Sequence, residues 1–243
     1  MEPHPVLAPY YTDKQGKQPF LSKVFDDAAP HYEGITTWGW LGCGQRYRRQ
    51  ALRRAGLAEG MSVLDVASGT GATARAAAEI TGSPGRLKCL DPSLGMLAES
   101  RKRLDCEHIL GGADHIDLPD GGFDFVTMAY ALRHVGDLEQ TFRECCRVLT
   151  AGGKLLILEM TVPANRLGRL AMKAYFKHLL PSLTRAFTRS AAAALLMSYY
   201  WETMEQVVPL TRVEALLAKA GFQDVKRTAP LGIFNELVGT KPG

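Results

Sequence analysis

Between about residues 62 and 160 the chain alternates short, continuously apolar runs with longer alanine-rich or amphipathic stretches, an order that few folds accept. "SVLDVA", "RLKCL", "EHIL", "FDFVTMAY" and "KLLILEM" have the length of strands. Those that are apolar almost throughout require cover on both faces, as strands of a parallel sheet do. "GATARAAAEI", "LGMLAESRKRL" and "DLEQTFRECCRVL" read as the intervening helices, and "TAGG" as a turn. Strands joined through helices run parallel, so the expected fold is α/β, a doubly wound, Rossmann-like sheet.

The two ends of the pattern differ from its middle. "RVEALLAKAGF" reads as a helix closed by Gly221, and the strand-like runs "QDVKRTA" and "GIFNELVGT" follow with "PLG" between them. So short a link allows an antiparallel hairpin and no crossover. Residues 1–55 are expected to form a partly helical N-terminal segment. Residues 161–208, rich in Leu, Ala, aromatic and basic side chains, read as an inserted helical cap. The whole of 1–243 is expected to be one domain, with its core in 56–160 and 209–243.

Composition narrows the function classes. Cys43, Cys89, Cys106, Cys145 and Cys146 form no CxxC pair, which points to a reducing cytosol, and the Cys and His spacing matches no ligand motif, so no metal is expected. No apolar window reaches the roughly 18 residues of a membrane span, and the polar start lacks the layout of a signal peptide. The expected location is the cytoplasm. The formal net charge of +4 is unevenly placed: Arg166, Arg169, Lys173, Lys177, Arg185 and Arg189 lie between Asn165 and Tyr200 with no acid among them. Residues 165–189 read as a solvated basic face or as a peripheral contact with anionic lipid at the inner face of the membrane. No nucleic-acid recognition module is visible, so nucleic acid is not an expected partner.

The run "VLDVASGTGATARAAAE", residues 63–79, ends a strand on Asp65 and enters a helix through Gly69 and Gly71. Such a turn lets a ligand approach the main chain and offers it the free N–H groups of a helix start. "GTGATA" satisfies even the dinucleotide fingerprint. Asp65 separates the candidates, because a carboxylate beside the turn repels a pyrophosphate and attracts an ammonium. S-adenosylmethionine (SAM) carries an amino-acid ammonium and a sulfonium and no phosphate. Asp91 ends the next strand twenty residues after Gly71, where it is placed to accept hydrogen bonds from ribose hydroxyls of either ligand. An NAD(P)-dependent reductase is the reading Asp65 opposes, and a plain capped turn at Asp65 or a helix cap at Asp91 is the bland one.

"VLDVASGTG", "LDPSLGML", "FDFVTMAYALRHV" and "CCRVLTAGGKLLILE" resemble the successive motifs of class I SAM-dependent methyltransferases. "VFDDAAPHYEGI", Ala67 in place of a first glycine, "YALRHV" and "MKAYFKHLLPSL" are similar, more narrowly, to the ubiquinone/menaquinone biosynthesis C-methyltransferase family, over residues 24–241. The resemblance implies seven strands with the last antiparallel. It places Asp65, Ala67, Gly69 and Gly71 at the methionine end of SAM, Asp91 at the ribose, Met96 beside the adenine and Tyr130 in the same site. Where the family has Asp or Asn before an alanine, this chain has Gly112 then Ala113, which leaves the adenine amino group to a backbone carbonyl or to Asp114. The family's "LRN" is "LRH", a C-terminal histidine is missing, and "TTWGWLGCG" departs from the family's run at that point.

For the reaction the resemblance implies, methyl transfer to a ring carbon of a (poly)prenyl quinol, the protein must align donor and acceptor and exclude water. Arg133 is the candidate to stabilise a phenolate, with an ion pair to Glu159 as the structural alternative. His134 is the candidate to accept a proton near neutral pH. Tyr32 is the candidate to cover the cofactor or touch the acceptor, and Tyr199 and Tyr200 would line the acceptor cavity or merely pack. Expected partners are a small hydrophobic aromatic or quinol substrate and a second copy of the chain, as a homodimer. Another small aromatic acceptor, or a SAM-fold protein without catalysis, is compatible with the same residues.

Overall fold

A computed structural model describes residues 1–39 and 42–243, with Lys14 and Leu231 described by their backbone alone. Two helices lead, α1 (Lys14–Gly39) and α2 (Gly44–Ala55), and the alternation follows as β1 (Val63–Val66), α3 (Ala72–Thr81), β2 (Leu87–Asp91), α4 (Leu94–Arg101), β3 (Glu107–Leu110), β4 (Phe123–Ala129), α5 (Leu138–Val148) and β5 (Leu149–Met160). Then come α6 (Arg166–Lys173), running through a wider π-type turn into α7 (Leu180–Thr188), and α8 (Ala191–Gln206). The chain ends with α9 (Leu210–Lys219), β6 (Gln223–Thr228) and β7 (Phe234–Thr240). The seven strands form one sheet in the order β3-β2-β1-β4-β5-β7-β6. β7 is antiparallel to both neighbours, and β1 to β5 pair in parallel.

Local chemistry accounts for the boundaries. Ser93, Asp137, Asn165 and Ser190 each turn a side-chain oxygen onto an amide of the first turn of α4, α5, α6 and α8. "TAGG" departs from the turn expected of it: the ladder of β5 begins at Leu149, paired with Phe123, and the strand bends at Gly152, whose φ of +76° suits glycine. Gly152 and Gly153 there exchange backbone hydrogen bonds with Lys241, beyond β7, so the glycines extend the sheet.

Three apolar clusters form the layers. One fills the sheet face under α5 and α9 (Phe142, Val213, Leu217), and another fills the face under α2 and α3 (Leu52, Ala74, Ala77). The third joins α1 to α7 and α8 (Leu21, Leu180, Trp201) above the carboxyl edge of the sheet. α1 carries Pro30, which offers no N–H to the carbonyl of Asp26. That stretch rests against α4: a Cβ at Gly95 would lie 2.9 Å from both the Asp26 Cα and its carbonyl oxygen. Asp26 Oδ1 accepts from the Gly95 amide at 2.8 Å and from the Ser93 hydroxyl at 2.5 Å. The N-terminal helix is thereby pinned to the start of α4.

Candidate active site

Asp65, Asp91 and Tyr130 stand at the carboxyl ends of β1, β2 and β4, the edge at which open α/β sheets bind ligands. Here the sheet and α1 enclose a cavity of about 590 Å³, partly open to solvent. Ala67, Gly69, Asp91, Met96 and Tyr130 of the expected cofactor set line it, together with Tyr32 and His134. Gln18, Ser22 and Phe25 of α1 line it as well, and sequence reasoning missed them; no spacing marks them, because they reach the cavity only through the docking of α1 on α4. Asp65, Gly71, Gly112, Ala113 and Asp114 are not among the lining residues: Asp65 is buried and Gly71 packs on Ser100, Ala113 is in the core below α5, and Asp114 is exposed, with its carboxylate against Gly112 and Gly136. The adenine role considered for that segment gains nothing from the geometry.

The turn after β1 is held in an unusual backbone. Gly69 and Gly71 have φ of +55° and +77°, and Ala67, at the place where a glycine is usual, has φ of +53°. Tyr130 at the end of β4 has φ of +60°. Non-glycine residues in this region carry strain of about 1–2 kcal/mol, so two such residues face one cavity. Below the turn, a Cβ at Gly71 would run into the Ser100 hydroxyl, and with a φ of +77° the position favours glycine.

Asp65 is 1% exposed and neither of its carboxylate oxygens has a hydrogen-bond partner. Burial pushes its pKa up to about 8, and the amide of Ala74 and the charge of Arg48 offset only part of this. The expectation of a standing negative charge is corrected accordingly: with no cation beside it, the Asp65 carboxyl is mostly protonated at neutral pH. Asp91 is bound on both oxygens, by the Gly69 and Ser93 amides at 2.8 Å each, and burial pushes its pKa up to about 6. Its remaining lone pairs are available to hydroxyl donors. A cavity of this size, with Gly69 and Asp91 on its wall and the unpartnered Asp65 carboxyl buried behind it, fits SAM; Asp91 would hold the ribose, and Asp65 would hold the ammonium.

A second cavity of about 500 Å³ adjoins the first, lined by Arg48 and Arg133 and by apolar residues that include Ile35, Met160, Phe176 and Leu180. Tyr32, Tyr130 and Tyr200 line both cavities and form the wall between them, and the Tyr32 and Tyr200 hydroxyls are hydrogen-bonded to each other. Tyr199, by contrast, packs away from the cavities against Tyr10 and Phe20.

Arg133 is 2% exposed and paired with the fully buried side chain of Glu159, the structural alternative raised above, while its guanidinium also lies 5.0 Å from the centre of the Tyr200 ring. Burial raises the pKa of Glu159 against the opposing pull of Arg133. The Arg133 Nε and the Glu159 Oε2 have no hydrogen-bond partner. His134 differs from expectation. It is ringed by Phe25, Tyr199 and Tyr200, both its nitrogens lack partners among the described residues, and burial with the nearby positive Arg133 and Lys17 lowers its pKa well below the usual histidine value. At neutral pH it is an uncharged, weak base that lines the cofactor cavity and not the second one. Of the divergent "TTWGWLGCG" run, Trp40 and Leu41 lie outside the described residues.

Comparisons with known proteins agree with this geometry. The model of the ubiE/COQ5 methyltransferase family matches residues 12–241. The demethylmenaquinone methyltransferase of Deinococcus radiodurans is 33% identical, over 94% of this chain and 95% of its own. The ubiquinone/menaquinone biosynthesis C-methyltransferase UbiE of Geobacter sulfurreducens is 33% identical, over 91% and 88%. Among solved structures, a SAM-dependent methyltransferase from Thermotoga maritima shares the fold, with a TM-score of 0.65 at 21% identity, over 91% of this chain and 99% of its own. The reductase alternative finds no support among these matches. With the cavity, its carboxyls and the match over nearly the whole chain in agreement, the protein belongs to the ubiE/COQ5 methyltransferase family and is a SAM-dependent methyltransferase.

Proposed function

We propose that the protein methylates a ring carbon of a demethylated (poly)prenyl quinol such as demethylmenaquinol. The observation that carries this reading is the apolar second cavity, divided from the cofactor cavity by three tyrosines and holding the Arg133 guanidinium. When bound, SAM supplies a methyl carbon made electrophilic by its sulfonium. A hydroxylated ring in the second cavity would give its phenolic proton to water and become a carbon nucleophile, Arg133 stabilising the phenolate by charge; the methyl would replace the hydrogen on that ring carbon, which leaves to water as a proton when the ring regains aromaticity. Glu159 holds the guanidinium in place. Tyr32 and Tyr200, tied to each other, keep the ring aligned with the donor. His134 serves as a neutral wall of the cofactor cavity.

The cap supports a lipid-borne substrate. Leu167, Leu170, Leu179 and Phe187 are 50–79% exposed on α6, α7 and the turn between them. Arg169 and Lys177 are paired with Glu205 and Glu202 of α8, which leaves the charge of this face to Arg166, Lys173, Arg185 and Arg189 among the described residues. Apolar side chains amid cations suit a helix lying on anionic lipid. No helix among the described residues is long and apolar enough to cross a membrane.

The test is methyl transfer in vitro from isotopically labelled SAM to reduced demethylmenaquinone carried in phosphatidylglycerol vesicles, with the lipid product read by mass spectrometry. A labelled ring methyl is expected. Tight SAM binding with no label in the quinone would refute the acceptor assignment. Sedimentation with phosphatidylglycerol but not phosphatidylcholine vesicles, reduced by Leu167→Asp with Phe187→Asp, checks the lipid contact.

A further inference from the structure

Behind the cofactor turn, the parallel pairing of β2 with β3 sets Cys89 opposite His108, with Cys106 two residues earlier on the same face. The spacing, sixteen residues between the cysteines and one between Cys106 and His108, matches no ligand motif, so it is strand register that brings them together. One ligand atom from each lies within 4.8 Å of the other two. We propose that Cys89, Cys106 and His108 form a site for a thiolate-seeking divalent cation of the zinc type.

The distances suit such an ion. The two sulfurs are 3.6 Å apart, and a tetrahedral ion with metal–sulfur bonds of about 2.3 Å holds two thiolates roughly 3.8 Å apart. A disulfide would need about 2.0 Å. His108 carries the tautomer of a metal ligand. Its Nδ1 lies 2.8 Å from the Cys106 carbonyl oxygen, which can only accept, so the hydrogen is on Nδ1 and the lone pair is on Nε2. A ligating histidine typically donates its other ring N–H to just such a carbonyl. The Nε2 lone pair is taken by the Ser100 hydroxyl at 2.9 Å, and both ring nitrogens are 4.0 Å from the Cys106 sulfur, so the ring turns Nε2 from Ser100 toward the sulfurs to complete the triangle.

The surroundings favour a neutral complex. A divalent ion with two thiolates and one neutral imidazole carries no net charge, and Cys89 is packed in the apolar cluster with Val63, Leu87 and Leu104. β3 is an edge strand, and the partial exposure of Cys106 and His108 supplies an entry path and room for a water as fourth ligand. An ion that takes Nε2 frees the Ser100 hydroxyl, the group that abuts Gly71 of the cofactor turn. Occupancy is therefore expected to alter SAM affinity.

The test uses the full, reduced, metal-free protein titrated with Zn²⁺ against a chromophoric chelator, and separately with Co²⁺, whose thiolate charge-transfer band reports sulfur ligation. One equivalent is expected, with affinity lowered more than tenfold by Cys106→Ser and by His108→Ala and unchanged by Cys146→Ser. Binding indifferent to the first two substitutions, or no thiolate band, would overturn the proposal. If either variant fails to fold, alkylation of Cys106 in the unsubstituted protein decides. Protection by Zn²⁺ supports the site, and equal labelling with and without Zn²⁺ removes it. Loss of two hydrogens between Cys89 and Cys106 in air, with no affinity for Zn²⁺, would mark a redox pair and refute the metal.

Discussion

Binding of SAM should expel a proton from Asp65. Without ligand the carboxyl is held up to about 8, so at pH 7 about nine molecules in ten carry the proton. An ammonium brought into contact with a carboxylate lowers its pKa by about 1–3 units. A drop of two units leaves about one molecule in ten protonated, a release of about 0.8 proton. Near pH 7 an α-amine of pKa about 7.8 takes back roughly 0.1 proton on binding as ammonium, so the net release is about 0.7. Calorimetric titration with SAM in phosphate and in Tris reads this number as the slope of observed enthalpy against buffer ionisation enthalpy. Affinity should rise with pH from about 6 to about 7.5, with a slope in log units that peaks near this value around pH 7, and should level off near pH 8, where the free amine itself loses its proton. The same shift bears on stability. A folded-state pKa above the unfolded one of about 3.9 means that the ligand-free protein loses stability as pH rises from about 4 toward 8, on the order of 4 kcal/mol by pH 7. Asp65→Asn should therefore raise the melting temperature at pH 7 while abolishing both SAM binding and proton release. Enthalpies independent of buffer at pH 7, or a release that survives Asp65→Asn, would refute the assignment of the ammonium to Asp65.

Four further substitutions probe the rest of the site. Arg133→Lys keeps the charge but loses the planar guanidinium that reaches Glu159 through Nη1 and lies over the Tyr200 ring, and should cut kcat by about 10²-fold with SAM affinity little changed; equal turnover would remove Arg133 from the chemistry. Arg133→Ala should instead cost about 3–5 kcal/mol of stability in denaturant titration, because it strands a buried carboxylate. Ala67→Gly should stabilise the ligand-free protein by about 1 kcal/mol by relieving a φ of +53°, and a lowered denaturation midpoint would count against strain at that turn. Gly95→Ala forces a Cβ to 2.9 Å from the Asp26 backbone and should cost about 1–3 kcal/mol, loosening α1 so that limited proteolysis there quickens and SAM affinity falls.

The parallel core was legible because its cause is local: runs apolar throughout, such as Leu155–Leu158 of β5, can be satisfied only by cover on both faces, and the short link before Phe234 permits only a hairpin. Gly69 and Asp91, which line the cavity, were legible for a similar reason, since a strand end and the helix start that follows it lie close in the chain. His134 was misjudged because residue type sets only an intrinsic pKa, and its descent follows from aromatic and cationic neighbours on α1 and α8. Gln18, Ser22 and Phe25 carry no signal of their own; they belong to the cavity only because Asp26 clasps the start of α4.

By itself, then, the order of residues determined the sheet, the direction of its last strand and the turn that would take a methyl donor, since each follows from periodicity and short-range sterics. Tertiary structure alone decided the protonation of Asp65, the Arg133–Glu159 pair, the tyrosine wall between the two cavities and the meeting of Cys89, Cys106 and His108. Each of these depends on burial or on contact between distant segments, and both come into being only when the chain packs.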